Sequence, residues 1–331
     1  MNFNDGYNGK NILITGGLGM IGSNLAVKLV ELGADVSILD AMLPLYGGNL
    51  FNVEAIKDKI LINIGDIRDT SALNYLVKKM DVIFNLAAQV SYIDSQTDPL
   101  LDLDINCKGH LLLLEACRNF NPDAKIIFSG SRLEYGEIVS KEKVKEDHPL
   151  KPKSFYGIHK VVGEFYHYMY YKLHGIRTVA FRLANPYGIR HHMKHSKYGI
   201  VNYFIKKAME GETIEIFGEG KQLRDYIYVE DIVNAMLVAG LSSNADGEVF
   251  NLGSGNSIAF YEMAQTVVDI VGNGTLKKIP WPENYKIIEG GDFECDIGKA
   301  ESILGWAPTC DFKTGIGKTV HYYEKYRDYY W

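Results

Sequence analysis

NILITGGLGMIG, residues 11–22, passes from a short apolar, β-branched run into three glycines spaced three apart, Gly16, Gly19 and Gly22. Asn11–Thr15 has the composition of a buried strand. Beyond the glycines, Ile21, Leu25, Leu29 and Leu32 recur at helical spacing, and Gly33 stands where such a helix ends. Glycine permits a tight turn and a close approach of backbone to phosphate, and the helix N-terminus offers unpaired N–H groups with a partial positive charge. Strand, glycine triplet and helix together are the setting of a dinucleotide pyrophosphate, with Gly16, Gly19, Met20, Ile21 and Gly22 facing it. Asp40 closes the next predicted strand, Asp35–Leu39, about twenty residues downstream. A carboxylate there accepts hydrogen bonds from ribose hydroxyls and repels a 2′-phosphate, so the cofactor expected is NAD rather than NADP. Asp66 and Ile67, after a third strand at Ile60–Ile64, are placed beside the adenine.

Outward from this unit, strands and helices alternate. A helix is predicted over Thr70–Met80, a strand over Asp81–Leu86, and a long apolar helix over Leu100–Asn119 that stops before Asn121-Pro122. A strand follows at Lys125–Ser129, a helix at Ser154–His174 closed by Gly175, and a strand at Thr178–Leu183. Such alternation predicts an α/β fold, a doubly wound parallel sheet of Rossmann type. After about residue 185 the elements shorten between glycines and prolines. Residues 1–184 are read as the NAD-binding domain. Residues 185–331 are read mainly as a smaller substrate-binding lobe, with segments returning to the first domain.

The whole chain bounds the function class. A net charge of −6 over 331 residues argues against a general nucleic-acid surface, yet a few local arginines suffice to hold a pyrophosphate. No apolar run reaches membrane-spanning length, and residues 1–10 lack the apolar core of a signal peptide, so a cytoplasmic location is expected. Cys107, Cys117, Cys295 and Cys310 form no CxxC pair and read as free thiols. The histidines show no metal-ligand spacing, so no metal is expected. The stretch 189–195, IRHHMKH, reads as a basic, solvated or phosphate-facing loop.

Tyr156 and Lys160 lie four residues apart in the predicted helix and share a face. A nearby ammonium favours the ionised phenol, whose pKa of about 10 must fall before it serves as a base near neutrality. Ser131 lies just past the Lys125–Ser129 strand, at the sheet edge where ligands bind in such folds.

These segments, with NLAA at 85–88, SGSRLEYG at 129–136, RLANPYG at 182–188, QLRDYIYV at 222–229 and LGW at 304–306, make the chain resemble an extended short-chain dehydrogenase/reductase of the nucleotide-sugar epimerase/dehydratase family. The similarity spans nearly the whole chain. It implies that Tyr156 is the base, that Lys160 binds the nicotinamide ribose and lowers the tyrosine pKa, and that Ser131 orients the sugar. It further implies that Leu86, Ala87 and Ala88 lie beside the cofactor, that Gln89, Val90 and Ser91 line the sugar pocket, and that Asn185 and Arg224 hold the phosphates or nucleoside of a nucleotide-diphosphate sugar. Tyr228 is set aside as a core aromatic. A homodimer, joined through the helices at Leu100–Asn119 and Ser154–His174 as a four-helix bundle, is also implied.

Two departures refine the expectation. The family's 4,6-dehydratases carry an Asp-Glu pair after the catalytic Ser or Thr; this chain has Arg132-Leu133, and neither serves as the acid–base pair that eliminating water requires. Arg132 instead contacts an anionic substrate group or a neighbouring acid. Where many members place an arginine before Gly-Asp, this chain has Glu289-Gly290-Gly291-Asp292, which shifts phosphate binding toward Arg224, Arg190 or Lys194. The activity expected is epimerisation through a transient 4-keto sugar. The alternatives are a nucleotide-sugar 4-dehydrogenase, a uronate decarboxylase with Arg132 as carboxylate clamp, the disfavoured dehydratase, and, from another class, a non-catalytic NAD-binding regulator.

Overall fold

The computed structural model describes residues 4–138, 142–282 and 290–331, with backbone alone for residues 4 and 5. Its strands are β1 (Asn11–Thr15), β2 (Asp35–Asp40), β3 (Ile60–Ile64), β4 (Val82–Asn85), β5 (Lys125–Ser131), β6 (Thr178–Leu183), β7 (Asn185–Tyr187), β8 (Thr213–Phe217), β9 (Leu223–Tyr228), β10 (Val249–Leu252), β11 (Ser257–Ala259) and β12 (Thr275–Ile279). Seven of them form one sheet in the order β10-β6-β5-β4-β1-β2-β3, every neighbouring pair parallel. The doubly wound α/β fold is therefore present, and its order reverses between β1 and β4.

Side chains along β1 show why both faces need cover. Ile12 and Ile14 enter one core with Leu25 and Leu29 of the helix Met20–Glu31, whereas Leu13 enters another with Leu73 and Leu113. All of these side chains are fully buried. Each such burial stabilises the fold by roughly 1.5–3 kcal/mol. The period-two alternation of a strand thus delivers neighbouring residues to opposite helix layers.

The helix starts and stops follow local chemistry. The Ser154 hydroxyl accepts the Gly157 N–H at 3.1 Å and starts the helix Phe155–His174, and Gly175 ends it in the left-handed conformation at φ 69°. The long helix expected at Leu100–Asn119 runs Pro99–Leu103, widens into a π-helical turn at Asp104–Gly109, and continues as His110–Phe120. The helix expected to reach Met80 ends at Leu76, and Lys79 leaves it with a positive φ of 64°. A 3₁₀ segment at Leu50–Lys59 was not foreseen, because it carries no 3.6-residue apolar period to betray it.

Chain beyond residue 185 builds two small sheets, β11-β9-β7 and β12-β8, over a second core that includes Tyr187, Phe204, Ile214 and Met263. Two of its segments join the first part of the molecule. β10 lies beside β6 at the edge of the large sheet, and the helix Val229–Leu241 contributes Ile232 and Met236 to the core that holds Ile12 and Leu25.

Candidate active site

A cavity of about 580 Å³ opens at the carboxyl ends of β1, β4, β5 and β6. The glycine loop forms one wall. Gly16 has φ +70°, and a Cβ on it would stand 2.8 Å from the Ala87 amide nitrogen; a Cβ on Gly22 would collide with the Gly16 carbonyl. Gly19 is different: its nearest neighbour, the Gly16 oxygen, is 3.5 Å from a built Cβ, so the space it leaves belongs to the cavity. Gly19 caps the helix Met20–Glu31 with no side-chain hydrogen bond, which leaves the first helical N–H groups available to an anion.

Asp40 lines the cavity and is braced by the backbone: Oδ2 accepts the Leu18 N–H at 2.9 Å and Oδ1 the Met42 N–H at 2.8 Å. Burial pushes its carboxyl upward against those two hydrogen bonds. Each oxygen retains a further lone pair for a ribose hydroxyl. Asp66 is held below the usual carboxylate range by Arg68, which grips both of its oxygens at 2.9 and 2.7 Å. Asp66, Ile67, Met20, Ile21, Leu86, Ala87 and Ala88 all line the same cavity. Glycine loop, uncapped helix start and braced carboxylate form a cradle that fits a dinucleotide.

Ser131, Tyr156 and Lys160 meet on the opposite wall. The Ser131 hydroxyl oxygen accepts the Leu133 N–H at 3.2 Å. The Lys160 ammonium donates to the Ser129 carbonyl at 2.7 Å and sits 5.8 Å from the Tyr156 ring centroid. Burial dominates both titrations. It drives the Tyr156 phenol well above its usual value, with the Asp102 charge adding and the Ser131 side chain opposing, and it pushes Lys160 down to about 8. Desolvation of the phenolate is thus the largest influence on Tyr156, and it opposes the lowering that the resemblance implies for Lys160.

Arg132, Asn185 and Arg224 also reach the cavity. Arg132 Nε donates to Asn185 Oδ1 at 3.1 Å, and its guanidinium lies 5.4 Å from the Phe293 ring centroid. Arg224 Nη1 donates to the Leu223 and Gly291 carbonyls at 2.7 and 2.8 Å. Glu134 turns away, buried against Arg182 and Glu164, because a short 3₁₀ turn at Arg132–Glu134 rotates it inward. Tyr228 is a fully buried core aromatic.

Several placements differ from expectation. Gln89 and Ser91 do not line the cavity: both are buried, bound to each other through Gln89 Nε2 to Ser91 O at 2.9 Å and Ser91 N to Gln89 Oε1 at 2.7 Å. Val90 lines it as expected, and so does Tyr92. Arg190 is likewise withdrawn, donating to Asn24 Oδ1 at 2.6 Å and to the Asn52 carbonyl at 3.0 Å, which ties the helix Met20–Glu31 to the Leu50–Lys59 segment. Lys194 is exposed and outside the cavity. The histidine loop is only partly solvated. His191 and His192 stack with centroids 4.8 Å apart, are 6% exposed, and line the cavity; burial brings them down to about 4 and about 2, so both are neutral. Glu289 lies outside the described residues. Among the described residues no three ligands assemble for a metal.

Sequence reasoning missed the cavity residues Tyr46, Lys197, Tyr198, Phe217 and Trp281. They come from loops and from β8, where no local motif marks them. The Lys197–Asp94 ion pair at 2.6 Å joins chain segments about a hundred residues apart, and only the fold reveals it.

A Rossmann-type sheet with a glycine cradle at its switch point and a Ser-Tyr-Lys group facing that cradle defines a pyridine-nucleotide enzyme of the short-chain dehydrogenase/reductase type. The chain belongs to the NAD dependent epimerase/dehydratase family, whose model matches residues 12–253. It is 35% identical over 314 residues to a protein described as a putative UDP-glucose 4-epimerase of Methanocaldococcus jannaschii, covering 94% of this chain and 97% of that one. An epimerase of Methanothermobacter thermautotrophicus superposes with a TM-score of 0.92 at 28% identity, over 99% of this chain and 96% of that one. The UDP-glucose 4-epimerase of Thermotoga maritima, solved with UDP-glucose, has a TM-score of 0.87 at 32% identity, over 96% and 99%. NAD is the cofactor of this enzyme. No helix among the described residues is long and apolar enough to cross a membrane.

Proposed function

We propose that the protein is a nucleotide-sugar 4-epimerase that works through a transient 4-keto sugar. One observation carries the reading: Ser131, Tyr156 and Lys160 face the glycine cradle across one cavity, while the two positions after Ser131 hold Arg132 and Leu133. Tyr156 takes the proton of the sugar 4-hydroxyl and later returns it. Ser131 holds that hydroxyl and orients the ring. Lys160 places its charge beside the phenol and reaches toward the nicotinamide ribose. The glycine cradle and Asp40 would hold NAD⁺, which would supply the hydride acceptor for C4 and positive charge near Tyr156. Rotation of the keto sugar before hydride returns inverts C4, and this route needs no second acid–base pair. Arg224 and Asn185 are the groups assigned to the substrate phosphates, and Asp40 to the adenosine ribose. The similarity to epimerases, one of them solved with UDP-glucose, supports a uridine diphosphate sugar as first substrate to test.

The test is incubation of purified protein with UDP-, GDP-, CDP- and dTDP-sugars, with the C4 configuration read by NMR and NADH by absorbance. C4 inversion without net NADH supports the epimerase. Accumulating NADH with a keto sugar replaces it with a net 4-dehydrogenase. Loss of carbon dioxide from a UDP-uronate would instead identify the decarboxylase reading, for which Arg132 in the cavity is the favouring observation. No product and no NADH with any sugar would leave an NAD-binding regulator.

We also read the chain as a homodimer of the cytoplasm. Phe155, Ile158, Phe165, Met169 and Leu173 are exposed along one helix, and Leu100 and Leu103 on its neighbour. Contiguous apolar surface of this kind marks an interface. Four thiols without a disulfide suit a reducing compartment.

A further inference from the structure

The turn that carries Ser131 is closed by a buried carboxyl group that the reaction scheme above leaves unused. β5 ends at Ser131, and the 3₁₀ turn Arg132–Glu134 follows at once. The Ser131 hydroxyl oxygen accepts the Leu133 N–H at 3.2 Å, and Glu134 Oε1 reaches back to accept the Ser131 N–H at 2.6 Å. Each end of the turn therefore caps the other, in the manner of a capping box. Gly130 makes room for this return, since a Cβ there would collide with Glu134 Oε1. Glu134 is fully buried, and its second oxygen, Oε2, has no hydrogen-bond partner and stands 3.6 Å from Arg182 Nε. The Arg182 guanidinium, on β6, grips both oxygens of Glu164 at 2.8 and 2.6 Å. Glu164 belongs to the helix Phe155–His174, which also carries Tyr156 and Lys160. The backbone of Ser131 is thus joined through Glu134, Arg182 and Glu164 to the helix of the tyrosine.

We propose that Glu134 is a positioning residue that acts through Ser131, its carboxyl group holding the Ser131 N–H so that the serine hydroxyl keeps its place in the cavity relative to the Tyr156 helix. This rests on the epimerase reading of the Ser131-Tyr156-Lys160 group. The hydroxyl oxygen already accepts one N–H, so its proton is kept as a donor toward the sugar oxygen. A small displacement of such a donor costs a large share of the rate, because the reacting groups must be held in a narrow geometry. What the position demands is an acceptor at the reach of a glutamate side chain, not a charge. Burial and the Glu164 charge hold the Glu134 carboxyl well above the usual carboxylate range, against the pull of Arg182, so a neutral amide is its close mimic.

Two conservative variants separate reach from charge. Glu134→Asp keeps an ionisable carboxyl group but draws it back from the Ser131 N–H. Glu134→Gln keeps the acceptor at full reach and removes the ionisable group. Glu134→Asp is expected to lower kcat and kcat/KM together by about tenfold or more, and Glu134→Gln to rescue most of that loss. A role confined to balancing the Arg182 charge predicts the reverse order. Reverse order, or equal kcat in the two variants, would overturn the proposal. In a Ser131→Ala background the effect of Glu134→Asp should shrink to less than about twofold, because the group it positions is gone; an undiminished effect would also overturn it. Hydrogen exchange of the Ser131 amide, followed by NMR, reads the same link without turnover: exchange should be faster in Glu134→Asp than in Glu134→Gln, and equal protection would count against the link. A wild type that turns over no sugar would sink the epimerase reading, and the amide exchange alone then decides whether Glu134 holds Ser131. If Glu134→Asp does not fold, Glu134→Met, which fills the space without an acceptor, is set against Glu134→Gln under the same expectations.

Discussion

Tyr156 carries the proposed chemistry. Replacing it with Phe removes the proposed proton acceptor while keeping the ring that packs in the wall. Tyr156→Phe is expected to lower kcat by about 10²–10⁴-fold and to leave NAD bound, checked by turnover and by the nucleotide released on denaturation. Lys160 sets the alkaline side. Its folded pKa is depressed from 10.5 to about 8 by burial, so its charge is present below that pH and lost above it. kcat/KM should therefore decline as pH rises through about 8, well before an exposed lysine would lose its proton. Linkage has its own sign: with the folded value depressed, the buried charge costs stability fully below pH 8, and that cost fades toward 10.5 as the unfolded chain also loses its proton. Asp40 offers a third test. Asp40→Ala removes the acceptor assigned to the ribose and two backbone brackets with it. NAD affinity should fall about tenfold or more, and the preference over NADP should shrink, both measured by calorimetry.

At the scale of elements, the glycine loop and the catalytic helix behave differently. The loop is constrained by backbone against backbone. Gly16→Ala combines a positive φ with a Cβ 2.8 Å from the Ala87 amide, so no side-chain adjustment relieves it. The loop would have to move away from β4, and NAD would be lost from the purified protein before the fold is lost; a folded variant that retains NAD at the wild-type level would contradict this. The helix Phe155–His174 depends on a cap. Ser154→Ala frees the Gly157 N–H and should cost about 1 kcal/mol, a fall in melting temperature of about 2 °C. Because Tyr156 and Lys160 sit in its first turns, fraying there should reduce kcat further than so small a loss of stability suggests.

At the scale of the molecule, the exposed apolar stripe on two adjacent helices predicts assembly. Phe165→Glu with Leu173→Glu should convert a dimer to monomers by light scattering, and a wild-type protein that is already monomeric at micromolar concentration would refute the dimer. Chain order was enough to read the repeating unit: apolar strands, amphipathic helices, the Gly16–Gly22 loop, and the Tyr156–Lys160 pair. All of these are local, since spacing along the chain sets which face a residue takes. Which side chains share a cavity depended on how distant segments pack. Gln89 and Ser91 satisfy each other in the interior, Arg190 is spent joining Asn24 to Asn52, and His191 and His192 are drawn inward as neutral rings. Packing also made burial, rather than the neighbouring ammonium, govern the Tyr156 phenol. The physical reason is common to these cases: desolvation and hydrogen-bond satisfaction depend on every group within a few ångströms, and those groups come from chain segments far apart in sequence.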